Sequence, residues 1–127
     1  MPGRGNVLVI EDEREVRTMY RTALLLDGFD VVEAANGLEA LRRLESNMFD
    51  LIVLDMGLPT LSGRSFLLEL TAKADTRKIP VVIVTGSTKT FNSLNVARVL
   101  RKPVSGDQLV DTVRHFVKRA GSFPSQA

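Results

Sequence analysis

Short runs of consecutive apolar residues alternate along the chain with longer segments in which apolar residues recur every three or four positions. An unbroken apolar run is typical of a strand buried on both faces, whereas the longer spacing is typical of a helix with one buried face. Strands that alternate with helices predict a parallel sheet with helices on both faces, joined by right-handed crossovers. The predicted strands are 7–10, 30–33, 51–54 ending in Asp55, 79–84 ending in Thr85, and a weaker strand at 96–100.

Helical spacing occupies four of the intervening segments. The first stops before Gly28, a residue that commonly ends helices. The second begins at 36–39, which has the form of a capping box, and the third follows Gly63. The last is predicted to be capped by 105–108. The apolar positions expected to face the core are, helix by helix, Val16, Met19, Tyr20, Ala23 and Leu24; Leu38, Leu41 and Leu44; Phe66, Leu67 and Leu70; and Leu109, Val110, Val113, Phe116 and Val117.

The segment between the fourth and fifth strands differs from the rest. Residues 87–95 contain Ser, Thr, Asn and one Phe without an apolar period, so they are expected to form a loop or one or two helical turns. No internal repeat or low-complexity tract is present. We therefore expect a single domain, 1–127, with a core of about 5–119 and a disordered tail at 120–127.

Composition narrows the class of protein. Of 127 residues, 44% are apolar and 25% charged, which is ordinary for a globular domain. The formal charge of +2 is too small to indicate a nucleic-acid partner, and none is expected. Because the chain has no Cys, disulfides and thiolate catalysis are excluded. The first apolar run is too short for a signal peptide or membrane span, so a cytoplasmic location without membrane contact is expected.

Chemically active side chains follow four of the predicted strands. In a parallel sheet of this kind, ligands bind beyond the carboxyl ends of the strands. The residues at those ends are Glu11 and Asp12, then Asp55, then Thr85, and finally Lys102. Carboxylates about 4 Å apart repel each other by roughly 4 kcal/mol per pair at an effective dielectric near 20. A hard divalent cation relieves that repulsion, and an open site made of oxygen ligands suits Mg²⁺.

These residue types together suit phosphoryl transfer. A metal ion would neutralise charge on the phosphoryl group, Lys102 offers a second positive charge, and the Thr85 hydroxyl is a hydrogen-bond donor. Asp55 is left as the nucleophile, and its product would be an acyl phosphate. Alone, Asp12 would more often be a helix cap, and a single Thr or Lys at a strand end would more often be structural. The occurrence of all five residues at one edge of the sheet favours the functional interpretation.

Four motifs in this order resemble the receiver domains of bacterial two-component response regulators. They lie at 7–12, at 50–59 with Gly63, at 79–85 and at 101–104, and the resemblance covers about residues 5–119. The resemblance implies a doubly wound, flavodoxin-like α/β fold with a five-stranded parallel sheet of order 2-1-3-4-5. Given the segment at 87–95, its fourth helix is expected to be shortened or irregular.

The family also supplies roles for individual residues. The resemblance implies that Asp55 is the phosphoacceptor and that Mg²⁺ is held by Asp12, Asp55 and the backbone carbonyl of Gly57, with Glu11 assisting through water. Thr85 and Lys102 would bind the phosphoryl group and report its presence. The donor would be a phosphohistidine on a sensor histidine kinase or a histidine phosphotransfer protein.

The chain departs from the family pattern at several positions. Glu11 replaces the more usual Asp, a variant expected to preserve metal binding. Val99 stands where the family has its switch aromatic, which removes the usual readout of phosphorylation. Thr85 and Lys102 are only 17 positions apart, several fewer than is usual in the family, and the missing residues fall on the fourth helix. Neither Gly57 nor Ser87 has a side chain that holds an attacking water well, so intrinsic dephosphorylation is expected to lack side-chain assistance.

The resemblance also implies a cis peptide bond before Pro103.

Three functions are compatible with these features. The leading hypothesis is a stand-alone receiver that switches its interaction with a separate effector protein, a signalling component and not a metabolic enzyme. The alternative is a pseudo-receiver, a protein-interaction module that works without phosphorylation, which Val99 favours. A hydrolase that uses an aspartyl-phosphate is disfavoured, because Gly57 stands where such enzymes need a second acid.

Overall fold

The computed structural model describes residues 3–58, 61–88, 91 and 95–120, with the side chains of 118–120 outside that description. Within this part of the chain, five strands and four helices alternate for most of the length. The strands are β1 (Asn6–Ile10), β2 (Asp30–Ala34), β3 (Leu51–Asp55), β4 (Val81–Thr85) and β5 (Arg98–Arg101). The helices are α1 (Arg14–Leu26), α2 (Gly37–Ser46), α3 (Gly63–Ala72) and α4 (Gly106–Ala120).

The strands form one parallel sheet of order β2-β1-β3-β4-β5, which confirms the predicted doubly wound architecture. The register aligns the strand ends, since Asp55 pairs with Val84 and Thr85 with Arg101. The carboxyl ends of β1, β3, β4 and β5 therefore meet along one edge of the sheet.

Each face of the sheet has its own apolar core, because alternate residues of a strand point to opposite faces. One core joins the sheet to α1 and α4 and includes Val9, Val53, Tyr20, Leu24 and Leu109. The other joins it to α2 and α3 and includes Ile10, Leu54, Ala40, Phe66 and Leu70. Burying a Leu or Phe side chain contributes about 1.5–3 kcal/mol, so both faces need apolar residues. That requirement explains the unbroken apolar runs of β1, β3 and β4.

Two strand boundaries differ from the sequence-based prediction. The fourth strand begins at Val81 and not at Ile79, because the Ile79 N–H donates to the carbonyl of Thr76 in the turn after α3. Pro80 has no N–H to donate to a neighbouring strand. The fifth strand begins at Arg98 and not at 96, since Arg98 is the first residue of this segment in register with β4.

Asn36 caps α2 as predicted, although Glu39 accepts from the N–H of Ala35 and not from that of Asn36. Asn36 Oδ1 accepts from the Glu39 N–H at 2.9 Å, and Glu39 Oε1 accepts from the Ala35 N–H at 2.6 Å.

Two residues expected to face the core are exposed, Met19 on α1 (39%) and Leu38 on α2. Gly37 packs so closely that a Cβ there would lie 2.8 Å from Cβ of Leu61. Neighbouring residues of a helix point about 100° apart, so Leu38 is turned away from that contact and stays 45% exposed.

No helix is described between β4 and β5. Residues 86–88, 91 and 95–97 lie outside helices and strands, while 89–90 and 92–94 are outside the described residues. Of the expected disordered tail, Ala120 belongs to α4, and 121–127 lie outside the described residues. Across the residues described, no helix combines the length and the apolar character needed to cross a bilayer.

Candidate functional site

A cleft of about 690 Å³ opens at the carboxyl edge of the sheet. Its walls are the turn after β1, the loop after β3 with the start of α3, the loop after β4, and the residue after β5. These are the places where sequence analysis put the chemistry. The residues that line the cleft are Asp12, Glu13, Asp55, Met56, Gly57, Ser62, Arg64, Thr85, Gly86, Ser87, Phe91 and Lys102.

Three carboxylates converge at this edge. Glu11, Asp12 and Asp55 each place one oxygen within 4.8 Å of the others. Glu11 is 1% exposed and Asp55 5%, whereas Asp12 is open to solvent. The backbone of Glu11 is fixed on both sides, since its N–H donates to the Ala34 carbonyl at 3.1 Å and its carbonyl accepts from Arg17 Nη1 at 2.9 Å. These bonds fix Glu11 in the turn from β1 into α1, next to the end of β3 that carries Asp55.

The carboxyl group of Glu11 is buried and incompletely hydrogen-bonded. Its Oε2 accepts from the Glu13 N–H at 3.1 Å, but the buried Oε1 has no hydrogen-bond partner among the described residues. Burial raises the pKa of Glu11 from 4.5 to about 7; the charge of Asp55 also raises this pKa, while the Glu13 N–H and the Lys102 ammonium lower it. A buried oxygen without a hydrogen bond, among three carboxylates, fits a hard divalent cation such as Mg²⁺.

Lys102 joins two of these acids. Its Nζ lies 3.6 Å from Asp55 Oδ1 and 3.7 Å from Glu11 Oε1. Asp55 Oδ1 also accepts from the Gly57 N–H at 3.0 Å, so Gly57 is held beside the acceptor. The Lys102 N–H donates to the Thr85 carbonyl at 2.7 Å, and the Lys102–Pro103 bond is cis. Because its Nζ lies beside Asp55 and Glu11, the ammonium group of Lys102 is inside the cleft.

Thr85 ends β4 with its side chain buried on the same edge. Its Oγ1 accepts from the Ser87 N–H at 3.0 Å, which links the hydroxyl to the loop 86–88. Val99, at the position of the family's switch aromatic, pairs with Ile83 and packs partly buried against the α2–α3 core. The structure therefore shows an aliphatic contact with the core at that position.

Sequence analysis gave no role to three residues in or beside the cleft, two that line it and one that contacts its lining. Phe91, between β4 and β5, is only 9% exposed and lines the cleft. Arg101 lies with its guanidinium 5.6 Å from the centre of the Phe91 ring, and its Nη1 donates to the Ser87 carbonyl at 2.5 Å. Arg64 lines the opposite wall. Phe91 was visible as an isolated apolar residue in a polar segment, whereas the two arginines gave no pattern.

The fold and the acidic, lysine-containing cleft define a class of protein, the doubly wound signalling domains with an aspartate at the end of the central strand. A comparison with known families identifies which of these domains the chain is. The model of the response regulator receiver domain matches residues 7–114, and the chain belongs to that family. It is a receiver domain of two-component signalling.

Individual proteins that are similar in sequence or structure support this assignment to the family. The chain is 30% identical over 127 residues to the probable transcriptional regulator ycf27 of Porphyridium aerugineum, covering 96% of this chain and 52% of that protein. It is 32% identical over 121 residues to the transcriptional regulatory protein PrrA of Mycobacterium tuberculosis, covering 91% and 51%. The receiver domain of the Francisella response regulator 1452 superposes with a TM-score of 0.83 at 31% identity, covering 91% and 98%.

The chain thus spans about half the length of the curated relatives it matches. Both relatives are named as transcriptional regulators, a name that implies a nucleic-acid partner for those longer proteins. The sequence analysis expected no such partner for this chain. For this chain that expectation stays a prediction, as do the stand-alone organisation and the single-domain boundaries. The individual roles assigned to the cleft residues also remain predictions.

Proposed function

We propose that Asp55 accepts a phosphoryl group from a phosphohistidine on a kinase or phosphotransfer protein, in a Mg²⁺-dependent reaction that changes contact with an effector. The observation that carries this proposal is the placement of Asp55. Its carboxylate lies beside two further acids and 3.6 Å from the ammonium of Lys102, within an open cleft. A structural ion pair would need only one acid, whereas here three acids converge and one buried carboxylate oxygen, Glu11 Oε1, has no hydrogen bond among the described residues.

In the proposed reaction an Asp55 oxygen attacks phosphorus and forms the P–O bond. The P–N bond breaks, and its electron pair leaves with the imidazole nitrogen, which takes up a proton. Asp12, Asp55 and the Gly57 carbonyl would hold Mg²⁺, with Glu11 assisting through water. When bound, the ion would neutralise charge on the phosphoryl oxygens. Asp55 remains within reach of the donor because the cleft is open.

Lys102 and Thr85 would read the product. Phosphorylation replaces one carboxylate charge with a phosphoryl group of higher charge, which attracts the Lys102 ammonium. The Thr85 hydroxyl already accepts from the Ser87 N–H, so its own proton is available to a phosphoryl oxygen. Such a bond would tie the loop 86–88 to the phosphorylation state. The loop is therefore our proposed origin of the change that an effector recognises.

Val99 favours a second candidate, a pseudo-receiver that binds a partner regardless of phosphorylation. The side chain already packs against the α2–α3 core, and Val is too short to make the movement of a switch aromatic. Against this candidate stand the three converging acids and Lys102, which a module without phosphoryl chemistry does not require.

The test is incubation of the chain with acetyl phosphate and Mg²⁺, followed by intact-mass measurement. We expect the parent to gain one phosphoryl group, and the gain to disappear in Asp55→Asn and on addition of EDTA. Asp75→Asn, which removes an exposed carboxylate elsewhere, is the matched control and should be phosphorylated like the parent. If the parent gains no phosphoryl group from this donor or from a phosphohistidine protein, the proposal is wrong and the pseudo-receiver is favoured.

A further inference from the structure

Arg64 owes its place in the cleft to the glycine before it. Gly63, the first residue of α3, packs so tightly on Met56 that an added Cβ would lie 2.9 Å from the Met56 Cα and 2.7 Å from its Sδ. Met56 directly follows Asp55. The start of α3 is therefore held against the backbone beside the phosphoacceptor, and Arg64 lines the same cleft as Asp55.

The charge of Arg64 is not used by the fold. The other basic residue that lines the cleft, Lys102, lies within 4 Å of two carboxylates. Arg64 is exposed and has no ion pair or hydrogen bond to its side chain among the residues described. A guanidinium without an acidic partner, in a cleft that receives an anion, can bind that anion through two parallel hydrogen bonds.

Arg64 is also placed where a cation is locally unfavourable. It is the second residue of α3, and Ser62 caps this helix by accepting from the Ser65 N–H at 3.1 Å. A helix N-terminus favours negative charge, and the first turn of α3 carries no acidic side chain that would offset the arginine. The helix itself therefore gives no reason for a basic residue here, whereas an anion in the cleft would be attracted by both.

We propose that Arg64 is a specificity-determining residue of the phosphoryl-transfer site, which binds the phosphoryl oxygens of the donor and favours small donors with a net charge of −2 over those with a net charge of −1. The inference rests on the proposed function of Asp55. Arg64 attracts the donor and orients it, while Asp55 remains the group that reacts.

The test compares two small donors of different charge. Near neutral pH acetyl phosphate has a net charge of −2, whereas phosphoramidate has a net charge of −1 because the nitrogen on its phosphoryl group is protonated and partly offsets the attraction to a guanidinium. We expect Arg64→Gln to lower the second-order rate of Asp55 phosphorylation by acetyl phosphate about tenfold, since a hydrogen bond to a charged group is worth that order. The loss with phosphoramidate should be about twofold, and Arg64→Lys should recover part of the rate with acetyl phosphate. Taking the ratio of variant to parent for each donor removes the difference in leaving group.

Arg42→Gln is the matched control. Arg42 is an exposed arginine on α2, so its replacement removes the same charge at a site away from the cleft. It should leave both rates unchanged, and the thermal unfolding midpoint of Arg64→Gln should match that of the parent. Equal losses with both donors, no loss with acetyl phosphate, or a similar loss in Arg42→Gln would overturn the inference while leaving Asp55 as acceptor. If neither donor phosphorylates the parent, the proposed function fails, and this inference with it.

Discussion

Replacing Glu11 by Gln should stabilise the metal-free protein, and by an amount that depends on pH. Glu11 is 1% exposed, its Oε1 lacks a hydrogen-bond partner among the described residues, and its pKa in the fold is about 7 against an ordinary 4.5. Between these two values the folded state binds more protons at Glu11 than the unfolded state. Stability contributed by this group is therefore full below pH 4.5 and is lost as the pH rises through 7.

The size of the effect follows from the shift in pKa. One pKa unit corresponds to about 1.4 kcal/mol, so ionised Glu11 lowers the free energy of unfolding by about 3 kcal/mol at pH 8. At pH 5 the same group lowers it by only about 1 kcal/mol, because the carboxyl is then mostly protonated in the fold. Gln has the same shape and keeps an oxygen for the Glu13 N–H, but it has no charge to bury. The difference between the two proteins should therefore grow by about 2 kcal/mol from pH 5 to pH 8.

Urea unfolding followed by far-ultraviolet circular dichroism, in EDTA at these two pH values, measures this difference. Glu45→Gln removes an exposed carboxylate from α2 and should change stability by less than about 0.5 kcal/mol at either pH. In excess Mg²⁺ the parent should be stabilised and Glu11→Gln much less, since the ion favours the charged acid. A Gln variant less stable than the parent at pH 8 in EDTA, or a difference independent of pH, would refute the electrostatic account of this site.

Three further changes test other parts of the structure. Gly63→Ala should lower the free energy of unfolding by about 1–3 kcal/mol in urea titrations, because its Cβ would lie 2.9 Å from the Met56 Cα; an unchanged midpoint would contradict the close contact. Ser87→Ala should leave the decay of the phosphorylated protein, followed by intact mass, within about twofold of the parent; markedly slower decay would show that the serine assists hydrolysis. Arg114→Gln should destabilise the fold at neutral pH, since two hydrogen bonds from Arg114 to Asp27 hold the pKa of Asp27 below 3.8. That difference should vanish in urea titrations as the pH falls through the lowered pKa, and its persistence in acid would assign the effect to packing.

The sheet could be predicted because burial on both faces leaves a continuous apolar record. β1, β3 and β4 are buried along most of their length, and sequence alone located them to within two residues. The same record places the cleft, since the residue after each apolar run must stand at the carboxyl edge of a parallel sheet. Convergence of Glu11, Asp12 and Asp55 therefore follows from strand order and needs no knowledge of side-chain contacts.

Features that depend on contacts between distant residues left no such record. The position of Arg64 depends on how closely α3 approaches Met56. Gly63 permits this close approach, but a glycine in the sequence does not predict it. Leu38 has the spacing of a core residue, yet packing through the adjacent Gly37 turns it outward. The raised pKa of Glu11 reflects the depth of burial in the finished fold. These features need coordinates because a period along the chain carries no information about distances across it.

The departures from the family pattern become connected once the contacts are known. Val99 on the edge strand β5 is paired with Ile83 and packs against the core, so it offers no group that can move towards Thr85. Among the described residues, Thr85 and Arg101 both contact the loop 86–88, and Arg101 binds the Ser87 carbonyl and stacks on Phe91. A phosphoryl group that draws on the Thr85 hydroxyl would act on the loop between these two anchors. We therefore expect any response to phosphorylation to involve the loop 86–88 after β4 and not the side chain of Val99.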